Sequence, residues 1–228
     1  MNPVPTITEV IATKKNTCRE LVLFYLVSEY LLTEVNMDLT TRQKEIVLNS
    51  ISIISRQGIQ DLTIKNIAAA INVTEAALYR HFKSKNELLM AVLNYFDDLS
   101  RELVDAAELE GKTPLQKMEL FVMKRYALFM SNPDLAKVMF SEVLFENEPA
   151  LSAKMLSIIQ RHMHQFLDYV NQAQTQNYIR SDIEGQQIFR MIIGSMRLLV
   201  TQWTLNEFSF PLEEEGRKLW NSITKLIQ

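Results

Sequence analysis

Hydrophobic residues recur every three or four positions along most of the chain after Thr41, which is the spacing of an amphipathic helix. The first such segment covers residues 41–58 and ends at Gly58, a residue suited to the left-handed conformation of a helix C-cap. A stripe of Leu, Val and Phe from Lys85 to about Ala107 predicts a longer helix that links the first part of the chain to the rest. The alternating pattern of a strand is not found, so the sequence predicts an all-α protein.

Prolines and capping residues mark where the remaining helices begin. Together with the segments above, they predict roughly nine helices after Thr41. The predicted markers are a capping box at residues 113–116, the cap Asn132, a long helix from Pro149 to about Asn177, a capping box at residues 181–184 before an apolar helix to about Phe208, and a last helix from Pro211 to near Gln228.

Residues 62–89 carry the most specific local pattern, which is two short helices joined by a tight turn. Thr63 is placed to cap a helix that ends at Ala70, and the three alanines at its end allow another helix to pack closely. Asn72 follows, and asparagine tolerates the left-handed backbone that a tight turn needs. These features predict the first half of a helix-turn-helix.

The second half of this motif begins at Thr74, which is placed to cap a helix over residues 75–82. Residues 84–87 then form a capping box for the long helix that follows. The predicted recognition helix of the motif is therefore residues 75–82.

This region resembles the signature of the TetR (tetracycline-repressor-like) family of bacterial regulators. The resemblance is carried by the run VTEAALYRHFKSK at residues 73–85 and by the Glu-Leu-Leu at residues 87–89. Asn72 and Ala76 stand where many members have glycine, and both are small or tolerant of turns. The resemblance implies a homodimeric transcriptional regulator with an N-terminal three-helix helix-turn-helix DNA-binding domain and a C-terminal helical domain for ligand binding and dimerisation.

In a helix-turn-helix protein the recognition helix enters the major groove of double-stranded DNA. The resemblance implies phosphate contacts by Tyr79 and His81, and a guanidinium fork such as that of Arg80 suits the O6 and N7 atoms of guanine. Glu75 could accept a hydrogen bond from a cytosine amino group. Any one of these side chains could equally be a solvated surface residue. The predicted DNA-binding set is Thr63, Lys65, Thr74, Glu75, Ala76, Ala77, Tyr79, Arg80, His81, Lys83 and Lys85.

Charge is distributed unevenly along the chain. Residues 40–90 hold seven Lys or Arg and four Asp or Glu, a balance of +3, whereas the whole chain holds 24 and 27, a balance of −3. A modestly basic head on an acidic body suits a DNA-binding module followed by a separate domain. The predicted division is an N-terminal extension at residues 1–36, the DNA-binding domain at 37–90, and the effector-binding and dimerisation domain at 91–228.

The predicted helix that ends near Phe208 is apolar nearly all round, so a second surface must cover it besides its own core. Gly194 and Ser195 would allow a partner backbone to approach closely. The alternative is a central helix buried within one subunit. The residues predicted for a dimer interface are Ile188, Met191, Ile192, Ser195, Leu199, Trp203 and Trp220.

Methionine and aromatic residues are frequent in the middle of the chain, and such adaptable packing favours an apolar effector if one exists. The resemblance implies a cavity among the middle helices, while the simpler interpretation of each residue is ordinary core. The predicted pocket residues are Phe121, Tyr126, Phe129, Met139, Phe140, Met163 and Phe166.

Residues 1–36 contain an apolar stretch that is too short and too interrupted to span a bilayer. Lys14, Lys15 and Arg19 mimic the charged end of a signal peptide, but Glu29 interrupts the apolar run and no convincing cleavage site follows. Two interpretations remain open. One is a helical extension that packs on the body or on a partner, and the other is an upstream start codon assigned in error, because residues 37–42 look like an ordinary N-terminus of the family.

The sequence gives no support for catalysis. His162 and His164 lie two apart on a predicted helix and face apart, and no phosphate loop, nucleophile elbow or metal-ligand cluster is found, so neither enzyme activity nor a cofactor is predicted. The single Cys18 suits a reducing cytoplasm.

The leading hypothesis is a cytoplasmic, operator-binding regulator, most often a repressor in this family, which a small apolar molecule releases from DNA. One alternative is a DNA-bound protein of nucleoid occlusion type that acts on cell division. Another is an interaction protein that has lost DNA binding.

Overall fold

The computed structural model describes residues 39–110, 113–141 and 148–228, so the interpretations of residues 1–36 lie outside the described part of the chain. Within these ranges the fold is all-α, as predicted, and none of the described helices is long and apolar enough to cross a membrane. The helices are α1 (Thr41–Gln57), α2 (Ile64–Ala70), α3 (Glu75–Tyr79), α4 (Lys85–Glu110), α5 (Pro114–Ser131), α6 (Pro133–Met139), α7 (Pro149–Thr175), α8 (Gly185–Leu205) and α9 (Leu212–Ile227).

The first three helices and the start of α4 form a small core around α1. The capping box that starts α1 is complete, because Thr40 and Gln43 exchange hydrogen bonds between their side chains and backbone N–H groups. Ile46 and Val47 on its inner face are completely buried. The helix ends at Gly58, whose φ of 89° is positive as predicted, although its ψ of 169° lies outside the left-handed helical region.

Helix α4 continues from the N-terminal core into the body of the protein. Its predicted apolar stripe is buried at Leu88, Val92, Leu93 and Leu99, while Phe96 is partly buried. One face of this helix therefore belongs to the N-terminal core at its start and to the body further along, as expected of a connecting helix.

The body is a layer of packed helices in which α5 contacts α4, α7 and α9, and α8 lies against α7 and α9. Its core contains large side chains such as Phe121, Tyr126 and Phe166. At Gly216 a Cβ would lie 2.4 Å from the Tyr126 ring, so only glycine permits this close contact between α5 and α9.

Polar contacts join the N-terminal helices to the body, in addition to the packing of α6 on α1. The Ser55 hydroxyl of α1 donates to the carboxylate of Asp134 on α6 at 2.7 Å. The Asn86 amide at the start of α4 donates to Glu148, just before α7, at 2.7 Å. The orientation of the DNA-binding helices is thus tied to α6 and α7 as well as to α4.

Two of the predicted helix caps are not formed. The Asn132 side chain donates back to the Leu128 carbonyl at 3.1 Å, so it closes α5 and does not cap α6. The box predicted at residues 181–184 is absent, because Asp182 is held by Arg180 at 2.6 Å and α8 begins at Gly185. For Asn132, the competing carbonyl of Leu128 explains why the cap of α6 is not formed.

Candidate nucleic-acid interface

The turn between α2 and α3 is fixed by three local interactions that the sequence predicts. Thr63 Oγ1 accepts a hydrogen bond from the backbone of Asn66 at 3.2 Å, and Thr74 Oγ1 accepts one from Ala77 at 3.2 Å. Asn72 adopts a left-handed conformation with φ of 53°. The two caps set where each helix starts, and the left-handed residue reverses the chain between them.

Helix α3 is anchored by Leu78, which is completely buried, and by Phe82, which is buried just beyond the helix. It ends at Tyr79, earlier than predicted, so Arg80 and His81 lie in the turn that follows. Of the three alanines in α2, only Ala68 is buried, whereas the next two are exposed, so close packing there rests on one alanine.

Most of the predicted DNA-binding side chains reach the surface around α3. Ala77, His81 and Lys85 are partly buried, whereas the other eight are exposed, including Tyr79 with 46% of its surface accessible. The helix therefore buries one side on the core and presents the other to solvent. The exposed set is Thr63, Lys65, Thr74, Glu75, Ala76, Tyr79, Arg80 and Lys83.

Two of the predicted basic contacts are already used within the protein. The Lys85 ammonium donates to the carbonyl of Ile59 at 2.9 Å, which ties the start of α4 to the short 3₁₀ turn Ile59–Asp61. The Lys83 ammonium donates to the Tyr79 carbonyl at 3.2 Å, at the C-terminal end of α3. Sequence reasoning missed the contact of Lys85 because its partner lies 26 residues earlier in the chain.

The residues at the start of α4 form only part of the predicted capping box. Ser84 Oγ accepts from the backbone of Glu87 at 3.1 Å, as expected. The Glu87 carboxylate accepts from the backbone N–H of Lys83 at 2.6 Å, one residue before the position that a complete box would use. The α4 N-terminus is therefore held by this carboxylate and by Ser84.

The seven predicted pocket residues lie together in the body, where five of them are buried and Phe140 and Met163 are partly buried. The rings of Phe121 and Phe166 are 5.0 Å apart in an edge-to-face arrangement. The rings of Phe129 and Phe140 are 5.2 Å apart. These contacts make an aromatic core between α5, α6 and α7.

A group of buried polar residues beside this aromatic core was not anticipated from the sequence. Asp97 of α4 is buried and pairs with Lys154 of α7 at 2.9 Å and with Arg161. Arg125 of α5 is buried, and burial lowers the pKa of its guanidinium to about 9. Burial, with the charges of Arg125 and Arg161, lowers the pKa of His162 to about 2, so this imidazole is neutral at physiological pH. Buried polar residues inside an apolar helical pattern give no signal in sequence periodicity.

The predicted dimer interface is only partly at the surface. Ile188, Ile192, Trp203 and Trp220 are buried in the core of their own subunit, because they lie on the faces of α8 and α9 that pack against the body. Ser195 and Leu199 are partly buried, and Met191 is exposed.

The outer face of α8 exposes an apolar stripe flanked by polar residues. Leu198 and Leu205 leave 60% and 78% of their surfaces accessible, and Met191 lies two turns before Leu198 on this face. No described atom lies within 4 Å of a Cβ built on Gly194. The exposed apolar stripe of α8 is therefore formed by Met191, Gly194, Leu198 and Leu205, of which only Met191 belongs to the predicted set.

The capped turn and exposed α3 surface define a helix-turn-helix protein with a C-terminal helical body. Residues 48–92 match the model for bacterial regulatory proteins of the tetR family, and residues 90–227 match the model for the YsiA-like protein C-terminal region. The chain belongs to the TetR family of DNA-binding regulators, which are not enzymes.

Similar proteins of known name include the nucleoid occlusion factor SlmA of Aliivibrio fischeri, which is 24% identical over 175 residues, or 76% of this chain and 89% of that protein. The fold is similar to that of the fatty acid degradation regulator FadR from Bacillus halodurans, with a TM-score of 0.73, 17% identity, and coverage of 82% of this chain and 97% of that one. It is also similar to FadR from Bacillus subtilis in complex with stearoyl-CoA, with a TM-score of 0.71, 19% identity, and coverage of 81% and 99%.

Proposed function

We propose that this protein is a cytoplasmic transcriptional repressor that binds a palindromic operator as a homodimer and is released by a small apolar effector. The observation that carries the proposal is the exposed surface of α3, where Thr74, Glu75, Tyr79 and Arg80 surround a helix anchored by buried Leu78. This arrangement supports entry of α3 into the major groove. Arg80 then suits a guanine edge, and the Tyr79 hydroxyl suits a phosphate.

The apolar face of α8 supports the dimer in this proposal. A single helix of five residues contacts too few bases to select an operator, and two copies related by a twofold axis would read a palindrome. A second copy suits the face because Gly194 lets backbones approach while Met191, Leu198 and Leu205 supply apolar surface. Contact between the α8 faces of two copies would bury this apolar surface in both subunits.

The release step in this proposal uses the contacts between body and head. An effector seated among the aromatic residues of α5 and α7 would shift α4 or α6, and Asp134 would pass that shift to Ser55 of α1. Release by about 150-fold requires the effector to favour the non-operator conformation by about 3 kcal/mol. The complex of Bacillus subtilis FadR with stearoyl-CoA supports a ligand for a protein of this fold.

Fluorescence anisotropy tests the DNA-binding part directly. The purified protein is titrated onto a duplex from its own upstream region and onto a scrambled duplex, at two salt concentrations. We expect salt-sensitive binding that favours the native duplex by about a thousandfold or more. A Tyr79→Ala/Arg80→Ala variant should lose this preference, whereas Asn94→Ala, exposed on α4, should keep it. Stearoyl-CoA is a first candidate for release from the same complex.

A second candidate function is a nucleoid occlusion role, in which the DNA-bound protein acts on cell division. The observation that favours it is the run of similar proteins named nucleoid occlusion factor SlmA in several species. Chromatin immunoprecipitation separates the two functions. Many binding sites scattered over the chromosome would favour nucleoid occlusion, whereas a few promoter sites would favour the repressor.

A further inference from the structure

Arg125 carries a positive charge inside the body, with no carboxylate paired to it among the described residues. Only 6% of its surface is accessible. One guanidinium nitrogen, Nη1, donates to the Phe121 carbonyl at 3.0 Å, and the group stacks 3.4 Å from the centre of the Phe121 ring. The other nitrogen, Nη2, is buried and has no acceptor in the described part of the chain. A buried guanidinium with a free N–H group lowers the stability of the fold unless an anion accepts its hydrogen bond and balances its charge.

Further buried polar groups without partners, Gln165 Oε1 among them, lie on α4 and α7, the helices that pack against α5. His162 Nε2 of α7 and Ser100 Oγ of α4 are buried without a hydrogen-bond partner in the described residues. The His162 ring lies 6.4 Å from the Phe121 ring, on which the Arg125 guanidinium stacks. Ser100 lies one helical turn after Phe96, whose ring is 6.5 Å from that of His162. Unpaired polar groups on α4, α5 and α7 thus belong to the helices that pack around Phe121.

Asp97, the buried carboxylate on α4, does not neutralise Arg125. Its oxygens are paired with Lys154 at 2.9 Å and with Arg161, and Arg101 lies 3.7 Å away. Three cations thus already surround this carboxylate. Within residues 39–110, 113–141 and 148–228, no described carboxylate therefore neutralises the charge of Arg125.

The surroundings of Arg125 are otherwise aromatic. The Phe121 ring contacts those of Phe166 at 5.0 Å and His162 at 6.4 Å, and Phe96 stacks on Phe129 at 6.4 Å. A ligand that reaches the guanidinium must therefore present a compact negative group to Arg125 and an apolar surface to these rings. A carboxylate matches the guanidinium fork, and a hydrocarbon chain matches the phenylalanines.

The geometry points to a buried site for an apolar carboxylic acid, with Arg125 binding the carboxylate and the phenylalanines of α4, α5 and α7 binding the hydrocarbon part. The neutral His162, whose ring lies 6.4 Å from that of Phe121, can add a hydrogen bond to the same carboxylate. This inference rests on the effector site of the proposed function and adds the chemical class of the effector. It makes the effector an anion, where the sequence predicted only an apolar molecule.

The test is isothermal titration of the full-length, DNA-free protein with straight-chain acids of about six to sixteen carbons, each compared with its alcohol. We expect at least one acid to bind tenfold or more tightly than the matching alcohol, as a charge-assisted hydrogen bond would give. The Arg125→Met variant, which keeps the length of the chain, should bind acid and alcohol alike. Equal binding of acid and alcohol by the native protein, or no binding of any acid, would contradict the proposed site. Buried water would then be the group that hydrogen-bonds to the Arg125 guanidinium.

Thermal unfolding without ligand shows whether Arg125 has a merely structural role. We expect Arg125→Met to be at least as stable as the native protein, because the variant removes an unpaired buried charge. If Arg125→Met fails to fold, Arg125→Lys replaces it. This variant keeps the charge and loses the fork, so it should retain a smaller preference for the acid, and an undiminished preference would contradict the role of the fork.

Failure of this site is distinguishable from failure of the proposed function, because the titration needs no DNA. Acid binding without release of the operator would support the site and contradict the effector-controlled repressor. Operator binding in a protein that binds no acid would support the repressor and contradict the site.

Discussion

The carboxylate of Asp97 on α4 accepts a hydrogen bond from the ammonium of Lys154 on α7 at 2.9 Å, within the body of the protein. Arg161 of α7 contacts the same carboxylate. The connecting helix is thereby joined to the body by a charged contact as well as by apolar packing. Removal of one partner would leave the other charges buried without a counter-charge, which is unfavourable. Such a contact therefore favours one arrangement of the faces of α4 and α7.

Replacement of Asp97 by Asn should lower the free energy of unfolding by about 2–3 kcal/mol, since Lys154 and Arg161 lose their counter-charge. The partial exposure of both cations keeps the cost from being larger. Urea denaturation followed by circular dichroism measures the change. Asp98→Asn is the matched control, because this neighbour is more exposed and pairs with Arg101 at 3.7 Å, so a change of less than about 1 kcal/mol is expected. Equal losses in the two variants would contradict the importance of burial.

The neutral, buried His162 should make the protein less stable in mild acid. Its folded-state pKa of about 2 lies far below the ordinary value of 6.5, so the unfolded chain binds the proton first as the pH falls. This residue should therefore cost about 2 kcal/mol of stability between about pH 7 and pH 5. His162→Gln should flatten the pH dependence of the urea midpoint over that range. His164→Gln, exposed on the same helix, is the control, and an unchanged slope in His162→Gln would contradict the prediction.

Replacement of Gly58 by Ala should destabilise the protein through the backbone alone. Its φ of 89° and ψ of 169° lie in a region that is essentially restricted to glycine, and an added Cβ would meet no described atom within 4 Å. The expected loss is about 1–3 kcal/mol, measured by thermal or urea unfolding. Gln57→Ala, at the exposed end of the same helix, should change stability little. If Gly58→Ala left the free energy of unfolding unchanged, the turn after α1 would have to adopt another backbone conformation in the variant.

An arginine at position 198 should weaken the proposed dimer. Leu198 is 60% exposed on the apolar face of α8, so Leu198→Arg would leave the monomer folded and place a charge in the contact between copies. We expect the dissociation constant, measured by analytical ultracentrifugation, to rise tenfold or more. Leu156→Arg, at a 57% exposed leucine of α7, is the matched control and should dimerise normally. Equal effects of both substitutions would place the interface elsewhere.

Substitutions at Lys65 and Arg80 should affect DNA binding in different ways. Lys65→Ala should weaken binding to all duplexes and reduce the slope of log affinity against log salt by about 0.9, as expected for one lost phosphate contact. Arg80→Ala should cost about 1–3 kcal/mol on the native operator and relax selection at one base pair. Anisotropy on single-base operator variants separates the two effects. If Arg80→Ala lost the same affinity on every operator variant, Arg80 would contact a phosphate and not a base.

Local sequence signals predicted the DNA-binding part of the fold well. Thr63 and Thr74 cap α2 and α3, and Asn72 takes the left-handed turn, because each of these preferences is decided by neighbours within a few residues. The order of nine helices after Thr41 is also confirmed in the described residues, since periodicity and prolines at helix starts act over the same short range. The length of α3 was wrong by a few residues, because helix ends depend weakly on sequence.

Tertiary structure decided which apolar and polar residues are buried in the core and which are exposed to solvent. The sequence alone determined that α8 is rich in apolar residues, but only the packing of the body on one side of it buried Ile192 and Trp203 and left Leu198 open. The sequence likewise determined a chain with few glycines and an amphipathic period, but not the meeting of Asp97 with Lys154, which are 57 residues apart. Nor could it place Arg125 in the core with no described carboxylate beside it. Periodicity records which side of a helix is buried on average, whereas a buried charge depends on which side chains distant segments bring to the same point.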